Sequence, residues 1–136
     1  MAERYVFDAY AILALLAEEA GAEQVAAILE EETSAVHISA VNLGEVYYIL
    51  LRRRGLAAAQ EVEATVFQQP NVQVVEAGWS RVRAAAELKA EGGLSFADAF
   101  AASLARELSA TLVTGDPEFA GLEQRGVIRV LWLPRQ

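Results

Sequence analysis

Five short apolar runs, at residues 4–7, 36–38, 72–76, 111–114 and 127–133, are separated by stretches that carry helical start and stop signals. That alternation limits the fold more than any other feature of the chain. Strands that alternate with helices pack as a mostly parallel sheet, joined by right-handed crossovers and covered on both faces. The helices are expected at 10–18, from Gly21 to about 32, and at 40–54, 56–69, 79–91 and 96–108, with a short one beginning at Pro117. Ser39 and Ser95 are N-cap residues, Gly55 and the Gly92-Gly93 pair are stops, and Pro70 closes the fourth helix. No repeat, linker or low-complexity segment interrupts the pattern. With 54% hydrophobic and 22% charged residues, the 136-residue chain is expected to form one domain, 1–136, with a sizeable core.

Composition removes several kinds of chemistry. The chain has no cysteine and one histidine, His37, which excludes disulfide frameworks, thiolate zinc sites and cysteine nucleophiles and disfavours Ser-His-Asp triads. A bound metal must therefore be held by oxygen. Neither a secretory leader nor an apolar stretch of the ~18 residues that a membrane span needs is evident, so a cytoplasmic protein with no membrane association is expected. The net charge of −8 opposes indiscriminate binding to polyanions, and a nucleic-acid role needs local positive charge.

Acidic residues fall at telling positions. Asp8 ends the first apolar run and Asp116 follows Thr111-Leu112-Val113-Thr114-Gly115, so both emerge at carboxyl ends of strands, where open α/β sheets build their sites. Carboxylates gathered there repel one another unless a cation joins them. Capping is the competing explanation for three of the acids. Asp8 and Asp116 each stand where a helix N-cap is expected, and Asp98 is the third residue after Ser95 in a pattern like a capping box. Glu45 resists that account, because it lies about six residues into its helix, with Val41, Tyr48 and Ile49 on the same face. It needs solvent, an arginine partner or a cation, since an unpaired buried carboxylate is costly. A shared metal site accounts for all four acids together.

The ordered segments Tyr-Val-Phe-Asp8-Ala-Tyr, Ile-Ser39-Ala-Val-Asn-Leu-Gly-Glu45-Val, Leu-Ser-Phe-Ala-Asp98-Ala-Phe-Ala-Ala and Leu-Val-Thr114-Gly-Asp116-Pro-Glu-Phe resemble the PIN-domain nucleases, especially the VapC toxins of toxin-antitoxin pairs. The resemblance spans nearly the whole chain; no single motif is specific, but the ordered set is. It implies an α/β three-layer sandwich, a five-stranded, mostly parallel sheet flanked by helices, with acids binding Mg2+ or Mn2+ at the carboxyl edge. Asp8 and Asp98 match the most direct metal-ligand positions of the family, Glu45 and Asp116 the other two acids, Thr114 a supporting hydroxyl position and Glu118 a further, often acidic one. The implied reaction is endonucleolytic hydrolysis of RNA in which water, not the ribose 2′-hydroxyl, supplies the new phosphate oxygen. The implied partners are a cognate antitoxin and a second copy of the chain. Ala9 departs from the hydroxyl residue that many relatives carry after the first Asp.

Other residues remain open at this level. Asn42 shares the face of Glu45 and is placed to hydrogen-bond a ligand or a scissile phosphate, with a plain surface or capping role as the alternative. Arg52-Arg53-Arg54 either grip an RNA backbone or simply complement a helix C-terminus. His37 reads as a packed strand residue. Tyr47, Tyr48, Phe67, Trp79, Phe96, Phe100 and Trp132 follow helix or strand faces, which predicts packing, some of it at a dimer interface. Two other functions fit the same acids: a PIN-like interaction module with weak catalysis and a housekeeping RNA-processing nuclease. A receiver-type phosphoacceptor domain fits poorly, because the third strand ends in Val-Val-Glu76-Ala with no Asp in the phosphoacceptor position.

Overall fold

The computed structural model describes residues 3–135; residues 1, 2 and 136, the ends of the expected 1–136 domain, lie outside the described residues. The chain runs β1 (Glu3–Phe7), α1 (Ala9–Leu16), α2 (Ala22–Glu30), β2 (Ser34–Ser39), α3 (Ala40–Arg54), α4 (Leu56–Gln68), β3 (Val72–Val75), α5 (Trp79–Ala90), α6 (Phe96–Leu108) and β4 (Thr111–Thr114). A 3-10 turn at Pro117–Phe119, α7 (Ala120–Gln124) and β5 (Arg129–Trp132) follow. All four strand pairings are parallel, in the order β3-β2-β1-β4-β5.

Side-chain alternation along the central strands builds two cores, as a sheet buried on both faces requires. Val6 and Leu112 pack with Phe100, Leu104, Leu88 and Phe119 on one side, while Phe7 and Val113 pack with Val36, Ile38, Val25 and Val46 on the other. The first two crossovers carry the chain outward from β1 to β3, and the return to β4 places that strand on the opposite flank of β1. A crevice therefore opens beyond the carboxyl ends of β1 and β4, the topological switch point where open α/β sheets bind ligands.

Where local signals are strong the expected boundaries coincide with the observed ones. The Ser39 hydroxyl accepts the Val41 N–H and starts α3; Gly55, at φ +93°, ends it. Two strands differ. β2 begins earlier, at Ser34, because pairing with Glu3 and Arg4 of β1 extends it beyond its apolar residues. β5 is shorter than its apolar run: Gly126 turns the chain at φ +74° and the Val127 N–H bonds the Leu122 carbonyl, so pairing with β4 begins only at Arg129. No helix among the described residues is long and apolar enough to cross a membrane.

Leu112 lies on the second most central strand and is wholly buried. Leu112→Ala should lower unfolding stability by about 2–5 kcal/mol in urea titrations, through lost burial and an unfilled cavity. A loss under about 1 kcal/mol would mean that this core is not close-packed around β4.

Candidate active site

Asp8 stands one residue beyond β1 and is 2% exposed. One carboxylate oxygen accepts the Ala11 N–H at 2.9 Å, capping α1, and the other accepts the hydroxyl of Thr114 at the end of β4. The Thr114 oxygen itself accepts the Asp116 N–H at 3.0 Å, so its single proton is directed at Asp8. Burial nevertheless outweighs both hydrogen bonds and pushes the Asp8 carboxyl up to about 7, with the charges of Asp116 and Glu45 adding to the rise.

Asp116 caps the 3-10 turn by accepting the Glu118 N–H at 3.0 Å. Asp98 lies in the first turn of α6, where its N–H donates to Ser95 Oγ at 3.1 Å. Among the described residues the reciprocal bond of a capping box, from the Ser95 N–H to the Asp98 carboxylate, is absent. That carboxylate instead joins Asp116 and Glu118, and one oxygen from each of the three lies within 4.8 Å of the others. Burial raises the Asp98 carboxyl to about 8, helped by the adjoining Glu118 side chain and the charges of Asp116 and Asp8.

Glu45, half-buried on α3, is also raised, by burial and then by the charge of Asp116. The arginine partner that would have explained it is missing: the ion pairs among the described residues are Arg81 with Glu107 and Arg125 with Glu91. Asp116 thus acts electrostatically on Asp8, Asp98 and Glu45 alike, and the expected four acids, with Glu118, share one neighbourhood at the switch point.

Other expectations change. Asn42 is neither a surface nor a capping residue; it is wholly buried, and its Nδ2 donates to the Ala97 carbonyl at 3.0 Å, tying α3 to the first turn of α6 next to Asp98. Its Oδ1 is buried without a partner. Packing does not describe all the aromatic residues: Tyr48, Phe67, Trp79, Phe96 and Trp132 are exposed, Trp79 to 70%. His37 is half-buried, and burial lowers its pKa. Sequence reasoning missed Tyr10. A Cβ on Gly115 would lie 2.3 Å from the Tyr10 ring, so the ring rests on the backbone immediately before Asp116, and glycine is what permits it. The Gly between Thr114 and Asp116 was the available signal.

The donor set is entirely oxygen, and nothing cationic among these residues offsets the crowded carboxylates. A hard divalent cation such as Mg2+ or Mn2+ fits that set on both counts.

The chain belongs to the PIN domain family, matching it over residues 5–124. In structure it is similar to VapC20 of Mycobacterium tuberculosis, a sarcin-ricin loop cleaving toxin, at 24% identity over 86% of this chain and 93% of that one, with a TM-score of 0.70. It is similar to VapBC2 from Rickettsia felis bound to a promoter DNA fragment, at 14% identity over 96% and 99% of the chains, TM-score 0.71. A toxin-antitoxin complex from Klebsiella pneumoniae matches at 18% identity over 93% and 95%, TM-score 0.68. No curated protein sequence matches the chain.

The raised carboxyls link stability to pH. Asp8 and Asp98 keep their protons to about 7 and 8 when folded, against an ordinary value of 3.8, so the folded chain binds more protons across that interval. Their contribution to stability is complete below that ordinary value and is lost as pH rises through the folded values. The metal-free protein should therefore melt at lower temperature at about pH 8.5 than at about pH 5, with a shallower slope in Asp8→Asn. Mn2+ should restore the melting temperature mainly at the higher pH, because ligands must be deprotonated. A melting temperature that is flat or rising across this range in the metal-free protein would contradict the assignment.

Proposed function

We propose that this chain is a metal-dependent endoribonuclease of the VapC type, the toxin of a toxin-antitoxin pair, acting in the cytoplasm through a single domain. The observation that carries the reading is the convergence of Asp8, Glu45, Asp98 and Asp116 at the switch point of a PIN fold. On this reading those four acids are the catalytic residues and would hold Mg2+ or Mn2+, with Thr114, Asn42 and Glu118 in support. When bound, such a cation supplies Lewis-acid polarisation of a phosphoryl oxygen and a more acidic water for in-line attack.

The protein's own part is positioning and proton control. Ala11 N–H and the Thr114 hydroxyl each engage one Asp8 oxygen, fixing the carboxylate plane while leaving lone pairs on both oxygens. Asn42 holds the start of α6, and so Asp98, against the helix that carries Glu45. Asp98, whose carboxyl lies beside those of Asp116 and Glu118, must release its proton to act as a ligand. A reaction whose nucleophile is water needs no histidine base, which suits a chain whose one histidine is on β2. The VapBC complexes among the similar structures support an antitoxin partner. The exposed Leu56 and Phe67 on α4 supply apolar surface for that partner or for a second copy of the chain.

The test is cleavage of a structured RNA pool by the purified, partner-free protein. Cuts that require Mg2+ or Mn2+ and leave 5′-phosphate ends are expected, slowed about a thousandfold by Asp8→Asn and about 10- to 100-fold by Thr114→Val. Cleavage persisting in chelator would refute metal dependence. A folded, cation-binding protein that cuts no RNA would instead be an interaction module.

A further inference from the structure

Arg52, Arg53 and Arg54 hold three of the chain's 11 basic residues at the end of α3. All three are exposed, and among the described residues none makes an ion pair or side-chain hydrogen bond. The helix dipole favours cations in this last turn, but it says nothing of what surrounds them. Two of the arginines line concave surfaces that also present a tyrosine. Arg53 shares a hollow of about 170 Å3 with Tyr10, Leu13, Ala14 and Glu19. Arg52 and Arg53 share one of about 450 Å3 with Tyr48 and Ile49.

Tyr10 links the first hollow to the acids, and α3, which carries Glu45, runs into the second. Tyr10 rests on Gly115, one residue before Asp116, so the first hollow begins at the rim of the acidic cluster. Glu45, Tyr48, Ile49 and Arg52 form one stripe along α3, with Arg52 about 10 Å beyond Glu45 at the helical rise per residue. Tyr48 is 50% exposed, so its ring face is accessible. Arginine beside an accessible aromatic face is the chemistry that holds single-stranded nucleic acid: guanidinium groups take phosphates and a ring stacks a base without reading sequence. An acidic peptide would use the arginines but not the rings.

We propose that Tyr10 and Arg53, continued by Tyr48 and Arg52, form a subsite for single-stranded RNA that leads away from the acidic cluster along α3. The inference rests on the nuclease reading for the identity of its ligand. It places the local positive charge that a chain of net charge −8 needs within reach of the reaction centre.

The experiment is fluorescence anisotropy of a short labelled single-stranded RNA, in chelator to prevent cleavage, against a duplex RNA of equal length. Arg52→Gln and Arg53→Gln should each weaken single-strand binding about tenfold and lower the salt slope by about 0.7. Tyr48→Ala should weaken it about tenfold without changing the slope. Arg83→Gln, exposed on α5, is the control and should bind as the wild type does. Thermal melts verify folding, and light scattering follows self-association. The subsite is wrong if the wild type does not bind, if the Arg52 and Arg53 variants bind normally, if Arg83→Gln is equally impaired, or if the variants alter only self-association. Arginine-dependent binding without cleavage in any cation would retain the subsite and remove the nuclease reading; cleavage with arginine-independent binding would do the reverse.

Discussion

The hydrogen bond from the Thr114 hydroxyl to the Asp8 carboxylate joins the ends of the two strands between which the sheet reverses direction, across 106 residues of sequence. Both partners are buried, and the hydroxyl is oriented because it also accepts the Asp116 N–H. One side chain thereby sets the plane of Asp8 and the path of the chain into Asp116. The neighbouring features of the carboxyl edge are built on that path: the 3-10 turn capped by Asp116, the approach of Glu118 to Asp98, and the seat of the Tyr10 ring on Gly115. A valine here would keep the strand but leave a buried carboxylate and a backbone N–H short of partners, each a cost of about 1–3 kcal/mol.

Once ionised, the acids gain no stability from one another. Burial opposes their ionisation, and their mutual charges oppose it further, so the metal-free fold carries a local electrostatic penalty at neutral pH. The two cores on either side of the sheet offset it. Such a trade, stability given up at one cluster of side chains, is the pattern of functional sites. It also explains why Asp116 matters beyond its own position, since its charge acts on three other carboxylates.

How much of this the sequence disclosed depended on range. Ser39, Gly55 and Ser95 act through bonds to near neighbours, and the helices they bound, 40–54 and 96–108, were legible from those residues alone. β2 was underestimated because Ser34 and Ala35 are poor strand formers locally and owe their state to pairing with β1. Asp8 and Asp116 were legible as strand-end residues because the motif itself contains the strand. Asn42 was not, since its burial and its bond to Ala97 join positions 55 residues apart. Tyr10 was missed for the same reason, its contact with Gly115 being tertiary. The exposure of Tyr48 and Trp79 was equally invisible, because helix faces show periodicity but not which face another element will cover.

Charge distribution, rather than net charge, decides whether an acidic chain can act on a polyanion. The acids at the switch point are drawn from four separate parts of the fold, while Arg52, Arg53 and Arg54 are consecutive at one helix end. Glu45 and Arg52 share α3, so the same rigid element carries a member of the negative centre and the start of the positive flank. At about 10 Å, close to the Debye length at physiological salt, the two still influence one another but each keeps its own sign of potential. On the proposed nuclease reading, a phosphate backbone would be anchored beside the acidic centre and a cation held by the carboxylates would offset their charge. Moving the arginines to a distant helix would preserve the composition and net charge and abolish that arrangement.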